Sequence, residues 1–219
     1  MQLMTRQQRF PFVYTCLLVG VVIAASSLLT HVMYSAPAQS NKMYWYMARS
    51  SGFTAYSLLS LAVLLGASST SGIWDKLKIR KLATQVHQYS AILVFPFLFF
   101  HLWGLYSDKS ILFTWISILI PFIDSYRTVP TGIGILVLYG WLLLIVTSYF
   151  REKIGVKIWR AIHIGAFPMF ILVTIHSILT GSDTGKLWSS LIYCVPSILL
   201  VIIVVKRLTG RRPQHLRPL

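Results

Sequence analysis

The stretch VHQYSAILVFPFLFFH, residues 86–101, places histidines His87 and His101 on either side of thirteen mostly apolar residues. It sits in an apolar run, 86–106, of the length needed to cross a hydrocarbon core, about 20 residues. The rest of the chain has the same character. Of 219 residues, 56% are hydrophobic and only 11% charged, against about a quarter charged in an ordinary soluble domain. A chain of this composition is built for a bilayer. Backbone groups in lipid must be satisfied internally, and no barrel-type alternation is present, so the expected fold class is an all-α membrane bundle.

Six segments have spanning length: about 11–34, 44–66, 86–106, 130–149, 158–179 and 187–205. Short connections make them antiparallel neighbours in a single domain covering residues 1–219. The basic residues set the orientation. Arg6 and Arg9, then Lys76, Lys78, Arg80 and Lys81, then Arg151, Lys153, Lys157 and Arg160, and finally Lys206, Arg207, Arg211, Arg212 and Arg217 fall on one side of six spans. Lys42, Arg49, Lys109, Arg127 and Lys186 fall on the other. Both termini are therefore expected in the cytoplasm, with the protein in a bacterial inner (plasma) membrane.

The run ILFTWISILIPF, 111–122, is too short to cross, and crossing would translocate the basic group around Arg151. An interfacial or re-entrant piece on the outer side is expected there, over about 110–122. The first segment, with Ala36-Pro37-Ala38 after it, has some features of a signal peptide. Its apolar run exceeds the 7–15 residues of a signal core, which favours an uncleaved helix. The net charge of +15 comes in short clusters between apolar runs with no recognition motif, which argues against a nucleic-acid partner. Cys16 and Cys194 read as inert buried thiols.

A second stretch, HIGAFPMFILVTIH (163–176), repeats the bracketing with His163 and His176. An ionisable group inside a membrane span marks a functional site by default, and four in two pairs strengthen the case. At 1.5 Å per residue, His87 and His101 lie ~21 Å apart along their axis and His163 and His176 ~19–20 Å. Neither pair can share a metal within one helix. Both spans run outward, so His87 meets His163 at an inner level and His101 meets His176 at an outer one. Each cross-helix pair can clamp a flat cofactor from both faces, and a b-type haem with axial histidines fits. Fourteen steps return His101 to within ~40° of His87, but thirteen leave His176 ~140° from His163. The fifth span must therefore be distorted, with Pro168 the expected cause and Pro96 a milder one in the third.

The H-x13-H and H-x12-H pairs resemble the ferric reductase and NADPH oxidase transmembrane domain. Supporting stretches are ARSSGFTAYSLLSLAVLLG (48–66), TGIGILVLYGWLLLIVTSYFREKIGVKIWRAIH (131–163) and HSILTGSD (176–183), so the likeness covers about residues 45–185. It implies two b-type haems, with His87/His163 as inner and His101/His176 as outer axial ligands of the haem irons. It also implies single-electron transfer across the membrane. Family members usually continue into a flavin and nicotinamide module. This sequence has no GxGxxG and no FAD or NAD site, so a separate donor is expected: a flavin reductase or a quinol. Where the family's oxidases carry a further histidine, this chain has Leu105, and efficient superoxide production is not expected.

Arg49 matches an arginine beside the outer haem in related proteins. There it would neutralise a propionate or steer an anionic acceptor, unless it snorkels to the interface. Arg80, Lys81 and Arg160 could meet inner propionates, but the topological bias already explains them. Phe95, Phe99, Met169 and Phe170 lie between the two levels and read as core packing. Trp45, Trp103, Trp159 and Trp188 read as an interfacial belt, while His31 and His215 have no partner at ligand spacing.

Three functions remain in view. The first is a dihaem cytochrome b passing electrons from a cytoplasmic-side donor to an outer acceptor such as chelated ferric iron, oxygen or a redox partner protein. It would be an oxidoreductase component in which no side chain acts as a catalytic acid, base or nucleophile. The second resembles the quinone-linked haem subunit of a periplasmic methionine sulfoxide reductase. The third is a histidine-relay transporter or proton channel, against which stands the lack of Asp or Glu in segments two to six.

Overall fold

The computed structural model describes Gly20, residues 37–69 and residues 73–209. Apart from Gly20, the first apolar segment lies outside the described residues, as do Cys16, His31, His215, Arg6, Arg9, Arg211, Arg212 and Arg217. All regular structure among the described residues is helical: α1 (Pro37–Ser68), α2 (Ile73–Lys76), α3 (Arg80–Ser107), α4 (Trp115–Leu119), α5 (Thr128–Tyr149), α6 (Arg151–Ile154), α7 (Val156–His163), α8 (Ala166–Thr180) and α9 (Leu187–Thr209). Among the described residues, five stretches are long and apolar enough to cross a membrane: Lys42–Ser68, Arg80–Ser107, Thr128–Tyr149, Val156–Thr180 and Leu187–Thr209. The chain is an integral membrane protein.

These spans match the second to sixth expected segments, with one notable difference. The helix carrying His87 begins at Arg80, not near 86. The helix-forming residues before the apolar run extend the helix, and Arg80 pairs with Asp75 of α2 at 3.0 Å.

Two antiparallel hairpins make the bundle. α1 packs along α3, α5 packs along α7 and α8, and α9 lies against α1. α3 and α8 scarcely approach one another; the hairpins meet instead through α1 and α8, where Tyr56 stacks on Phe170 and its hydroxyl lies 3.1 Å from that of Thr174, leaving a gap between α3 and α8. Small residues bring α1 and α3 close. Ala48, Ala55 and Ala62 recur every seven residues and are buried, and a Cβ on Gly104 would come 2.7 Å from the Tyr44 carbonyl oxygen and 2.8 Å from the Ala48 nitrogen. Helices in lipid gain little from hydrophobic association, and backbones drawn together by small residues supply contact instead. The hydroxyls of α1 are tolerated because they bond within their own helix: Ser51 to Met47, Ser57 to Phe53, and Ser60 to Tyr56 at 2.8 Å.

The fifth expected segment is indeed broken. α7 ends at His163, Ile164 and Gly165 form a turn, and α8 starts at Ala166. Pro168 thus occupies the first turn of α8, where a missing N–H costs nothing. α3, by contrast, runs unbroken through Pro96. The 111–122 run does not cross. It contributes the single-turn α4, whose Thr114 and Ser117 cap each other reciprocally. The segment turns back alongside α5, where the Tyr139 hydroxyl donates to the Leu119 carbonyl at 2.6 Å.

Two core assignments need correction. Phe95 and Phe99 are more than half exposed, because they stand ~80° and ~120° round the helix from His87. Phe170 is core and Met169 sits over Gly140. Cys194 is likewise exposed on the outer face of α9 rather than buried.

Candidate functional site

The four histidines are half-buried, and the helix beside each one holds its ring. On α1 the arrangement occurs twice. His101 Nδ1 lies 2.7 Å from the Ala48 carbonyl oxygen, and four residues further on Gly52 lies under the ring, where a Cβ would come 2.9 Å from Nδ1. His87 Nδ1 lies 2.8 Å from the Ala62 carbonyl oxygen, with Gly66 beneath and a Cβ there 3.1 Å from Cε1. On α5 the pattern returns: His176 Nδ1 lies 2.8 Å from the Pro130 oxygen, and a Cβ on Gly134 would come 2.5 Å from its ring.

A carbonyl oxygen only accepts, so each of these Nδ1 atoms carries the proton and donates. Nε2 keeps its lone pair, the state an imidazole needs to bind a metal. Interhelical bonds of this kind contribute only about 0.6 kcal/mol each in a membrane protein. Their main effect is to aim the rings.

His163 differs. Its Nδ1 lies 3.4 Å from Ser148 Oγ, and Trp159 stacks on its ring with centroids 5.0 Å apart and planes 30° from parallel. Trp159, near the end of its span, thus packs directly against His163.

Across the gap, the His87 and His163 ring centroids lie 6.2 Å apart. Two imidazoles gripping one first-row metal in line would hold their centres about 6.2 Å apart, from about 2.0 Å of metal–nitrogen bond and ~1.1 Å from nitrogen to ring centre on each side. At the other level, His101 and His176 line one cavity of about 200 Å³, together with Trp45, Arg49, Leu105 and Trp141. Trp141 buries its indole N–H there with no hydrogen-bond partner among the described residues.

Arg49 stands at the edge of this cavity. It is ion-paired with Asp183, a carboxylate only 2% exposed that also meets Lys186 Nζ at 2.7 Å. The pair ties α1 to the turn after α8 at the cavity's edge. Arg80 is ion-paired with Asp75, and Lys81 and Arg160 are exposed. Among the described residues no three His, Cys, Asp or Glu side chains converge. Each pair offers two nitrogens, so a metal held there must bring its remaining ligands with it.

A family model described as ferric reductase like transmembrane component matches residues 51–174, more than half of the chain. The chain belongs to this family. The match takes in His87, His101 and His163 and stops two residues short of His176. No curated protein and no solved structure matches the chain. Ferric reductase-like transmembrane domains generally bind haem and are associated with electron transfer through the membrane. The three glycine hollows, the carbonyl oxygens behind them and the Asp183 partner of Arg49 escaped the sequence reading. Their one visible trace is the recurrence of Ala-x3-Gly at 48–52 and 62–66, the same fourteen-residue step that separates His87 from His101.

Proposed function

We propose that this ferric reductase-like protein is a dihaem cytochrome b, passing single electrons from a cytoplasmic-side donor to an acceptor on the outer side. The observation that carries it is the 6.2 Å spacing of the His87 and His163 rings, the span of an axial pair with iron between. The glycines agree: Gly52, Gly66 and Gly134 leave hollows that a single Cβ would fill, and each hollow is occupied by an imidazole whose Nδ1 is held by a carbonyl. When bound, haem supplies the one-electron redox chemistry. The chain's part is to ligate through four Nε2 atoms, hold the two levels at fixed depth, and surround them with apolar side chains that exclude water.

Ten described basic residues (Lys76, Lys78, Arg80, Lys81, Arg151, Lys153, Lys157, Arg160, Lys206 and Arg207) end at the His87/His163 level, against five at the other. That bias supports a cytoplasmic position for the His87/His163 level. A flavin reductase or a quinol is the class of donor that suits this reading. The acceptor is a ferric chelate or a redox protein. A proton relay fits less well, because an imidazole whose Nδ1–H is spent on a main-chain carbonyl cannot pass a proton from one nitrogen to the other.

The test is haem per polypeptide by pyridine haemochrome, on wild type and on His87→Ala and His101→Ala. About two haems are expected, with each substitution losing about one. Unchanged content in both variants would end the proposal.

A further inference from the structure

The hollow at His163 occupies the same register as the other three. Carbonyl and hollow residue are Ala48 and Gly52, Ala62 and Gly66, and Pro130 and Gly134; fourteen residues beyond the last pair stand Leu144 and Ser148. Serine stands where the other three have glycine. Its hydroxyl donates to the Leu144 carbonyl at 2.6 Å, the very oxygen that by register would serve His163. A hydroxyl has one proton to give, so towards every other neighbour Ser148 Oγ accepts. It accepts from Trp159 Nε1 at 3.1 Å and faces His163 Nδ1 at 3.4 Å.

From this we infer that Ser148 is a positioning and tuning residue for His163, standing between the ligand and its carbonyl. The inference rests on His163 being an inner axial ligand. Ser148 imposes the Nδ1–H tautomer as the carbonyls do, but its acceptor capacity is shared with the indole. His163 thus makes the longest Nδ1 contact of the four, against 2.7 to 2.8 Å elsewhere. A weaker acceptor behind Nδ1 leaves an imidazole less basic at Nε2, and a less basic ligand favours the reduced iron. The inner level is therefore biased towards holding its electron, with the asymmetry on the His163 side. The Arg151 guanidinium, 5.1 Å from the Trp159 ring centre, braces the indole that competes for the hydroxyl.

The experiment is a potentiometric titration of the purified, haem-loaded protein, with low-spin haem signals followed by electron paramagnetic resonance. Ser148→Gly exposes the Leu144 carbonyl to His163 and should shift one of two midpoint potentials downward. Ser148→Ala removes the acceptor and should shift the same potential upward. Ser148→Thr keeps the hydroxyl and should match wild type. Shifts of one sign in the glycine and alanine variants, equal movement of both potentials, or no movement at all would each overturn the inference while leaving the dihaem reading intact. A wild type that binds no haem would overturn both.

Discussion

Gly52 lies directly beneath the imidazole of His101, so close that a methyl group there would sit 2.9 Å from Nδ1. Real Cβ atoms do not tolerate that separation, and the ring stands on a hydrogen bond to Ala48 that leaves it nowhere to retreat. Gly52→Ala should therefore tilt His101 out of line with His176. On the dihaem reading, haem content falls from about two to about one per chain, with the inner signal retained. Gly134→Ala, closer still at 2.5 Å from His176, should do the same from the opposite wall. Unchanged haem spectra and stoichiometry in both would show that ring placement does not depend on these hollows.

Gly104 tests the packing rather than the site. Its absent Cβ would meet the Tyr44 oxygen, the Ala48 nitrogen and the Ala48 Cβ, all within 2.9 Å, and two of these are backbone. Gly104→Ala must push α1 from α3, at a cost typical of overpacking, about 1–3 kcal/mol. Denaturation in a single detergent, followed by far-UV circular dichroism, would detect it.

Asp183 holds two cations of unequal weight. Breaking a buried ion pair costs about 3–5 kcal/mol because an uncompensated charge remains. Arg49 keeps 30% exposure, which places Asp183→Asn at the low end, about 3 kcal/mol. Lys186 is 61% exposed, so Lys186→Ala should cost less than about 1 kcal/mol. Comparable losses of stability in the two variants would contradict this ranking.

Arg80 and Asp75 form a surface pair, 64% and 50% exposed. Asp75→Asn and Arg80→Ala should each change stability by less than about 1 kcal/mol and leave haem content at the wild-type level. Loss of haem in Arg80→Ala would return that arginine to the inner site.

Much of this architecture is legible in one dimension. Apolar runs reveal the spans, since lipid leaves the backbone no other option. The thirteen-step spacing of His163 and His176 calls for a broken helix, and the turn at Ile164–Gly165 before Pro168 supplies it. What the sequence hides is register between helices. Nothing local to Ala48 or Pro130 says that its carbonyl will face an imidazole 53 or 46 residues away. Asp183 looks like a loop residue until folding brings it under Arg49. Phe95 and Phe99 mislead for a simpler reason: lying between two histidines along the axis is not lying on their face of the helix.

The fourteen helical steps from Ala48 to Ala62 amount to a ruler. At 1.5 Å per residue they set the two levels ~21 Å apart. One inserted residue would swing everything beyond it by ~100°, turning one carbonyl away from its ring. Seven would nearly restore the facing but change the depth by ~10 Å. On the dihaem reading, the distance between the two levels can therefore change only in coarse jumps, and gradual variation in chain length is confined to the loops.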